Sequence, residues 1–277
     1  MLDDDTTCHR HADRTAAVAC QRCERPICTE CMHSASVGFH CPTCTRTGAQ
    51  KVVRASDLRS SSSTPATLAL IIINVGAFLL QGSGLAIGDP AQTITRIGEL
   101  GGSEVADGEY WRIITSAFLH RSLLHLGFNM FFLWTVGQLL ERALGTPRFL
   151  LTYAAGLLGG SVAVLAFSFD ALVAGASGAV LGLAGALGAL LWARGIPLTQ
   201  TSVFGLLVIN LALPLIVPRI SFWGHLGGIA GGFVAGWLLS WLPEKFGRPM
   251  NVAVGATLGW CLVLAAAALA IPTVVGG

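Results

Sequence analysis

Charged side chains are scarce in this sequence, which excludes an ordinary soluble protein along most of its length. Only 12% of the 277 residues are Asp, Glu, Lys or Arg, whereas 53% are hydrophobic and the mean hydropathy is +0.67. Nearly half of the charged residues lie before residue 66, where the long apolar runs begin. This distribution is typical of a polytopic membrane protein that is preceded by a small soluble segment.

Two further features are missing. The sequence has no basic stripe with interleaved aromatic residues, so nucleic acid is not expected as a partner. The first 60 residues contain no apolar run of the kind found in a secretory signal peptide. The formal net charge of +2 does not indicate any class of partner.

Cysteine is almost absent beyond residue 44, because seven of the eight cysteines lie in the soluble segment. Three C-x-x-C pairs and one C-x-x-H pair supply the ligands of two tetrahedral zinc sites: Cys8, His11, Cys20, Cys23, Cys28, Cys31, Cys41 and Cys44. His9, His33 or His40 could replace His11. Disulfides are the alternative, but the number is odd and a cytoplasmic segment is reducing. So small a segment with few large apolar side chains needs structural zinc to fold.

The sequence predicts four parts: a cytoplasmic zinc-binding module at 1–46, a flexible basic linker at 47–64, a six-helix membrane core at 65–243 and an extra transmembrane helix within 244–277. Seven apolar segments have about the length of a membrane helix. They lie near 66–81, 119–140, 149–168, 173–193, 199–217, 221–242 and 252–272. Lys and Arg are more frequent in the loops on the N-terminal side, eight against four. This bias predicts a cytoplasmic N-terminus and a C-terminus outside.

Ser177 and His225 each stand at the head of an apolar run, where polar and ionisable groups are costly. With the N-terminus inside, the second, fourth and sixth spans all enter the membrane from outside. His125, Asn129, Ser177 and His225 then share roughly one depth. They supply a nucleophile, a base and donors for an oxyanion, which is the set that acyl transfer requires. Taken singly, each residue could instead serve helix packing or a local hydrogen bond.

Small residues recur every four positions on the two helices that would carry Ser177 and His225. They are Gly178, Gly182 and Ala186 on the fourth span, and Gly224, Gly228, Gly232 and Gly236 on the sixth. Such faces allow close helix approach, which would bring the His225 imidazole within reach of the Ser177 hydroxyl. The glycines beside Ser177 are compatible with a tight turn that leaves backbone N–H groups free for an oxyanion.

Taken together, these motifs resemble those of the rhomboid intramembrane serine proteases. The matching residues, within about 65–243, are Trp111-Arg112, His120-x4-His125-x3-Asn129, Gly175-x-Ser177-Gly178 and Gly224-His225-x2-Gly228-x3-Gly232. The resemblance implies an all-α polytopic membrane protein with a six-helix core and a Ser177–His225 dyad. It also implies an oxyanion site at His125 and Asn129, with His120 in support and no cofactor in catalysis. Asp170, the nearest acid along the chain, is not well placed as a third triad member.

By the same resemblance, the substrates are single-pass membrane proteins, cut within or near the transmembrane helix in the lipid bilayer. Two features depart from the simplest bacterial form: the cysteine-rich segment and the seventh span after Lys245. The cysteine spacing resembles a cross-braced B-box or RING-like module, in which the first and third pairs hold one ion and the second and fourth the other. A cytoplasmic protein is the partner class left open for this module.

Two other functions compete with proteolysis. A catalytically inactive rhomboid-like adaptor would bind transmembrane helices without cutting them, but such a chain is expected to lack the Ser or the His. A metal transporter would need several ligands at the middle of the membrane, whereas the spans hold only Cys261 and the polar set described above. Reaction of Ser177 with a serine-directed probe would distinguish all three.

Overall fold

The structure is a computed structural model that describes residues 5–35, 37–47, 63–82, 90–217 and 220–275. It divides into two units, Met1–Ser60 and Ser61–Gly277. Most of the predicted linker, residues 48–62, lies outside the described residues. The predicted domain boundaries at 46, 64 and 243 stay predictions.

The first unit has short strands and a very small core. Its strands form three two-stranded antiparallel sheets: β1 (Thr7–Cys8) with β2 (His11–Thr15), β3 (Val18–Ala19) with β4 (Pro26–Ile27), and β5 (His33–Ser34) with β6 (Phe39–His40). A short helix, α1, spans Pro42–Thr47. In the described part of the unit, the buried core consists of Ile27 and five cysteines. Burial of apolar side chains therefore contributes little to its stability.

The described part of the second unit is mainly helical. Its helices are α2 (Pro65–Leu80), α3 (Pro90–Gly98), α4 (Gly102–Ala106), α5 (Arg112–Thr115), α6 (Leu123–Leu144), α7 (Thr146–Phe167), α8 (Ser177–Ala193), α9 (Ser202–Ile216), α10 (Phe222–Phe246) and α11 (Met250–Val275). Four of these, α6, α7, α10 and α11, are long and apolar enough to cross a membrane, while α2, α8 and α9 are shorter apolar helices. Each predicted apolar segment overlaps one of these seven helices, with ends that differ by up to four residues. The predicted all-α membrane class is confirmed.

Two local features differ from the expectation. The fourth apolar helix begins at Ser177 and not near 173, because Gly175 has a φ of 135°, which a right-handed helix cannot contain. The short helices α3 to α5 were not predicted, since none of them is long or apolar enough to stand out as a membrane segment.

The close approach of α8 and α10 that the small residues predict is present. A methyl group on Gly228 would overlap the carbonyl group of Gly178, and one on Gly232 would overlap the carbonyl group of Gly182. The two backbones are therefore in direct contact along one face, and only glycine fits at these positions. This contact sets the distance between the helix that begins with Ser177 and the helix that carries His225.

A third helix, α7, completes this contact, which the sequence analysis did not foresee. A Cβ atom at Gly156 would lie 2.8 Å from the Cα atom of Gly182. One at Gly160 would lie 2.9 Å from the carbonyl oxygen of Gly224 and 3.4 Å from the Cα atom of Gly178. The signal in the sequence was the run of small residues on the third span, which has the same spacing as the faces of the fourth and sixth.

Candidate active site and metal clusters

Ser177 is the first residue of α8, and the loop before it is held by backbone hydrogen bonds. Leu100 and Val173 each donate to the other's carbonyl, with both N···O distances 2.8 Å. The Gly175 N–H donates to the carbonyl oxygen of Ser116 at 2.9 Å. The segment between α2 and α6 thus fixes the path of the chain into Ser177.

That segment is itself anchored by the predicted Trp111-Arg112 motif. The Arg112 guanidinium, only 5% exposed, makes a salt bridge to Glu109 with an N···O distance of 2.6 Å. Its Nη1 also donates to the carbonyl oxygen of Glu99 at 2.8 Å. The Trp111 indole donates to the carbonyl oxygen of Ile97 at 3.0 Å. Both side chains therefore stabilise the loop structure, and neither is among the described residues that line the cavity discussed below.

The start of α8 can bind an anion. Because the first N–H groups of a helix have no acceptor within it, those of Ser177 and Gly178 are available, and the helix dipole favours negative charge there. His125 faces the same point. A Cβ atom built at Gly175 would lie 2.7 Å from Nε2 of His125 and 3.8 Å from Oγ of Ser177. Gly175 leaves space in which these two groups can approach one reacting atom.

His225 is buried, at 3% exposure, near the start of α10. Ser221 caps that helix, since its Oγ accepts the Gly224 N–H at 3.0 Å. Nδ1 of His225 lies 2.9 Å from the carbonyl oxygen of Asn210 in α9. A carbonyl oxygen can only accept, so Nδ1 carries the proton and Nε2 keeps its lone pair. This tautomer is the one that a general base needs.

All four predicted catalytic residues line one cavity of about 370 Å³: His125, Asn129, Ser177 and His225. Much of the remaining wall is apolar and includes Phe128 and Leu181. Asn129 Nδ2 donates to the carbonyl oxygen of His125 at 3.0 Å, so one of its two amide hydrogens is already used. Among the described residues, Ser177 and His225 exchange no hydrogen bond; such contacts are often looser before a substrate binds.

Two other residues from the sequence analysis do not contribute a reacting group. His120 is 2% exposed, and its ring packs edge-to-face on that of His125, with 5.0 Å between centroids. This ring contact helps to fix the position of the His125 side chain. Asp170 is exposed and does not line the cavity. The group that orients His225 is instead the main-chain carbonyl of Asn210, which the sequence analysis missed because a backbone acceptor has no residue signature.

Residues 107–242 match the family model described as the Rhomboid domain. The matched range covers just under half of the chain. Over 144 residues the chain is 38% identical to "Rhomboid protease GluP" of Bacillus subtilis, covering 50% of this chain and 28% of that protein. It is 36% identical over 149 residues to "RHOMBOID-like protein 6, mitochondrial" of Arabidopsis thaliana, covering 52% of this chain and 48% of that protein. With "Rhomboid-like protease 1" of Toxoplasma gondii it shares 35% identity over 133 residues, 45% of each chain.

This chain spans less than half the length of each of these three relatives. The match to the Rhomboid domain model and the apolar helices together support an integral membrane protein. The matched range begins after the cysteine-rich unit, so the family model says nothing about that unit.

Outside the range that matches the family model, the structure brings the predicted metal ligands together in two clusters. One contains the first and third pairs and the other the second and fourth: Cys8, His11, Cys28 and Cys31; Cys20, Cys23, Cys41 and Cys44. Within each cluster the ligand atoms lie within 4.8 Å of one another. His11 occupies the eighth position, and His9, His33 and His40 belong to neither cluster among the described residues. The clusters could hold metal ions.

The first cluster has the dimensions of a tetrahedral zinc site. Nδ1 of His11 lies 3.4 Å from Sγ of Cys28, 3.5 Å from Sγ of Cys31 and 3.9 Å from Sγ of Cys8. With zinc–sulfur and zinc–nitrogen bonds of about 2.3 and 2.0 Å, a tetrahedron has nitrogen–sulfur edges of roughly 3.5 Å. The donor set of three thiolates and one imidazole is one that structural zinc prefers.

Backbone N–H groups also favour thiolates in both clusters. Burial raises the pKa of the Cys20 thiol, but the backbone N–H groups of Cys41 and Arg22 lower it, to about 6. The Cys41 N–H donates to Sγ of Cys20 at 3.2 Å. Burial opposes the same effect at Cys8, where the backbone N–H of Arg10 contributes most to lowering the pKa to about 6. A thiolate is the form that binds a metal.

Proposed function

We propose that this protein is an intramembrane serine endopeptidase that cleaves single-pass membrane proteins within or near their transmembrane helices. One observation carries the proposal: a nucleophile, a base in the right tautomer and two polar side chains from three separate helices line a single cavity in a rhomboid domain. The names of the relatives, two of which are called proteases, agree with this activity.

In the proposed reaction, Nε2 of His225 takes the proton of the Ser177 hydroxyl as Oγ attacks the scissile carbonyl carbon. The carbonyl oxygen becomes an oxyanion, which the N–H groups at the start of α8 stabilise together with His125 and Asn129. The amide bond then breaks, and His225 gives its proton to the leaving amine. Water, deprotonated by His225, attacks the resulting ester and releases the second product with Ser177 restored.

The apolar wall of the cavity supports a membrane-embedded substrate. Phe128, Leu181 and Leu213 lie on the wall beside the polar groups, so an apolar stretch of chain can lie there with one peptide bond at Ser177. A peptide bond within a regular helix is inaccessible to such an attack. The substrate must therefore unwind locally, which helix-breaking residues near the cleavage site would favour.

The decisive experiment is labelling of the purified protein by a fluorophosphonate, which reacts only with an activated serine. We expect labelling of the wild type and none of Ser177→Ala. Ser240→Ala is the matched control, because Ser240 is also buried in a membrane helix but its hydroxyl donates to carbonyl oxygens of its own helix, those of Gly236 at 2.8 Å and Trp237 at 3.5 Å. Labelling that persists in Ser177→Ala would refute the assignment. An unlabelled wild type that still binds transmembrane helices would favour the inactive adaptor.

We further propose that each cysteine cluster holds one structural zinc ion and that the unit lies in the cytoplasm. The ligand geometry of the first cluster and the scarcity of buried apolar side chains support the first point. The distribution of Lys and Arg supports the second. Zinc would supply folding free energy by its bonds to the thiolates and imidazole, and takes no part in proteolysis.

A further inference from the structure

The acceptor that orients His225 is unusual, since it is a main-chain carbonyl in the middle of a helix. Asn210 lies inside α9, which spans Ser202–Ile216, and its carbonyl oxygen is 2.9 Å from Nδ1 of His225. In a regular α-helix each carbonyl oxygen accepts the N–H four residues later and points along the helix axis. Such a carbonyl is normally not free to bind a side chain of another helix.

In this helix the residue four positions after Asn210 is Pro214. Proline has no N–H, so the carbonyl of Asn210 lacks the donor that a regular α-helix supplies four residues later. The proline ring also clashes with that carbonyl and tilts it away from the axis. The side chain of Asn210 does not compete for the role, because its Nδ2 donates to the carbonyl oxygen of Leu206 at 2.8 Å.

We propose that Pro214 is a positioning residue for catalysis: by removing one helix hydrogen bond, it frees the Asn210 carbonyl to hold the proton on Nδ1 of His225. This leaves Nε2 of His225, a residue that lines the cavity, unprotonated. The role rests on the proposed function, in which His225 is the base. The carbonyl takes the place of the carboxylate that orients histidine in a catalytic triad, and it continues to accept when the imidazole becomes a cation.

The first test is Pro214→Ala, which restores an N–H that competes for the Asn210 carbonyl. We expect kcat for a transmembrane substrate to fall about 10- to 100-fold, the range that a hydrogen bond to a charged group is worth, with little change in KM. A purely structural disturbance of the cavity would instead change KM or reduce the amount of folded protein. Pro272→Ala is the matched control, since Pro272 also lies inside a membrane helix, α11, and does not line the cavity.

A second variant separates the missing N–H from the proline ring. Lactic acid, the α-hydroxy analogue of alanine, can be incorporated at position 214 by nonsense suppression and replaces the N–H by an oxygen atom. If the missing N–H matters, this variant recovers most of the kcat that alanine loses. Should the lactic acid variant be as slow as Pro214→Ala, the ring and not the free carbonyl would be responsible, and the proposal would be wrong.

The tautomer of His225 can be measured without reference to activity. Nitrogen-15 spectra of histidine-labelled protein distinguish protonated from unprotonated ring nitrogens, and His225→Ala identifies the signal. We expect the wild type and the lactic acid variant to show protonated Nδ1, and Pro214→Ala to show a mixture of tautomers. An unchanged spectrum with unchanged kcat in Pro214→Ala would overturn the role of Pro214 and leave the protease assignment intact. A wild type that neither cleaves nor labels would overturn both.

Discussion

Glu141 offers the sharpest test of how the membrane unit is held together. Its carboxylate is only 2% exposed near the end of α6, and it accepts four hydrogen bonds. Two come from the backbone N–H groups of Ala66 and Thr67, at 3.0 and 2.8 Å, and two from the hydroxyl groups of Thr67 and Thr146, at 2.7 Å each. One side chain therefore caps the start of α2 and also binds the start of α7.

The size of the expected effect follows from the donors that Glu141→Ala would leave without a partner. The hydroxyl groups of Thr67 and Thr146 can rotate to other acceptors. The two backbone N–H groups cannot, and both belong to buried residues at the end of a helix. A buried donor without a partner costs about 1–3 kcal/mol. We therefore expect Glu141→Ala to lower the free energy of unfolding by roughly 2–6 kcal/mol.

We expect the free energy of unfolding of Glu141→Gln to lie between those of the wild type and Glu141→Ala. The amide of glutamine keeps one oxygen as an acceptor but places an NH2 group where the carboxylate accepts from Thr67. That NH2 group would then face the N–H and hydroxyl donors of Thr67. Reversible unfolding in mixed micelles, followed by tryptophan fluorescence, measures these differences. Glu244→Ala serves as the control, because Glu244 is 45% exposed and lies 3.8 Å from Arg194 in a weak surface pair. A loss below about 1 kcal/mol for Glu141→Ala would show that water replaces the carboxylate, and would refute the capping role.

Three further predictions concern the site and the metal clusters. His225→Ala should lose nearly as much activity as Ser177→Ala, and the double variant little more, because the two residues act as a unit; substantial proteolysis by folded His225→Ala would contradict the dyad. Asn129→Ala and His125→Ala should each slow cleavage about 100- to 1000-fold while still reacting with a small fluorophosphonate, and wild-type rates in both would assign them to packing. The purified full-length protein should carry about two zinc ions, and Cys41→Ser about one, by elemental analysis; a metal-free wild type would refute the zinc proposal.

The parts of the site that the sequence predicted are those in which chemistry and spacing coincide in one segment. Ser177 and His225 are visible because each stands alone in an apolar run beside glycines whose period matches a helix face. Cysteine pairs are visible for a similar reason, since two ligands separated by two residues can bind one ion. For the two helices the local pattern also indicated the long-range contact, whereas the pairing of the cysteine pairs came from the resemblance to a cross-braced module.

The remaining contacts could not be predicted because they join groups without a pattern. Glu141 and Thr67 are 74 positions apart, and a single acid in an apolar helix does not indicate which helix start it caps. The acceptor for His225 is a backbone atom, identical in every residue. The sequence analysis gave no role to Pro214. Its significance depends on which carbonyl it frees and on what lies opposite, and only the packing of α9 against α10 defines both.

The seventh apolar helix, α11, packs against helices of the candidate site but contributes none of the described residues that line the cavity. It packs against α7 and α10, and the Trp260 indole donates to the carbonyl oxygen of Gly231 at 3.0 Å. Gly231 in turn faces α7, since a Cβ atom built on Gly231 would lie 3.1 Å from the Cα atom of Gly159. None of the described residues that line the cavity belongs to α11. Because α11 touches α7 and α10, two of the helices that pack against α8, its loss would loosen the contact that sets the distance between Ser177 and His225, while the reacting groups themselves stay unchanged.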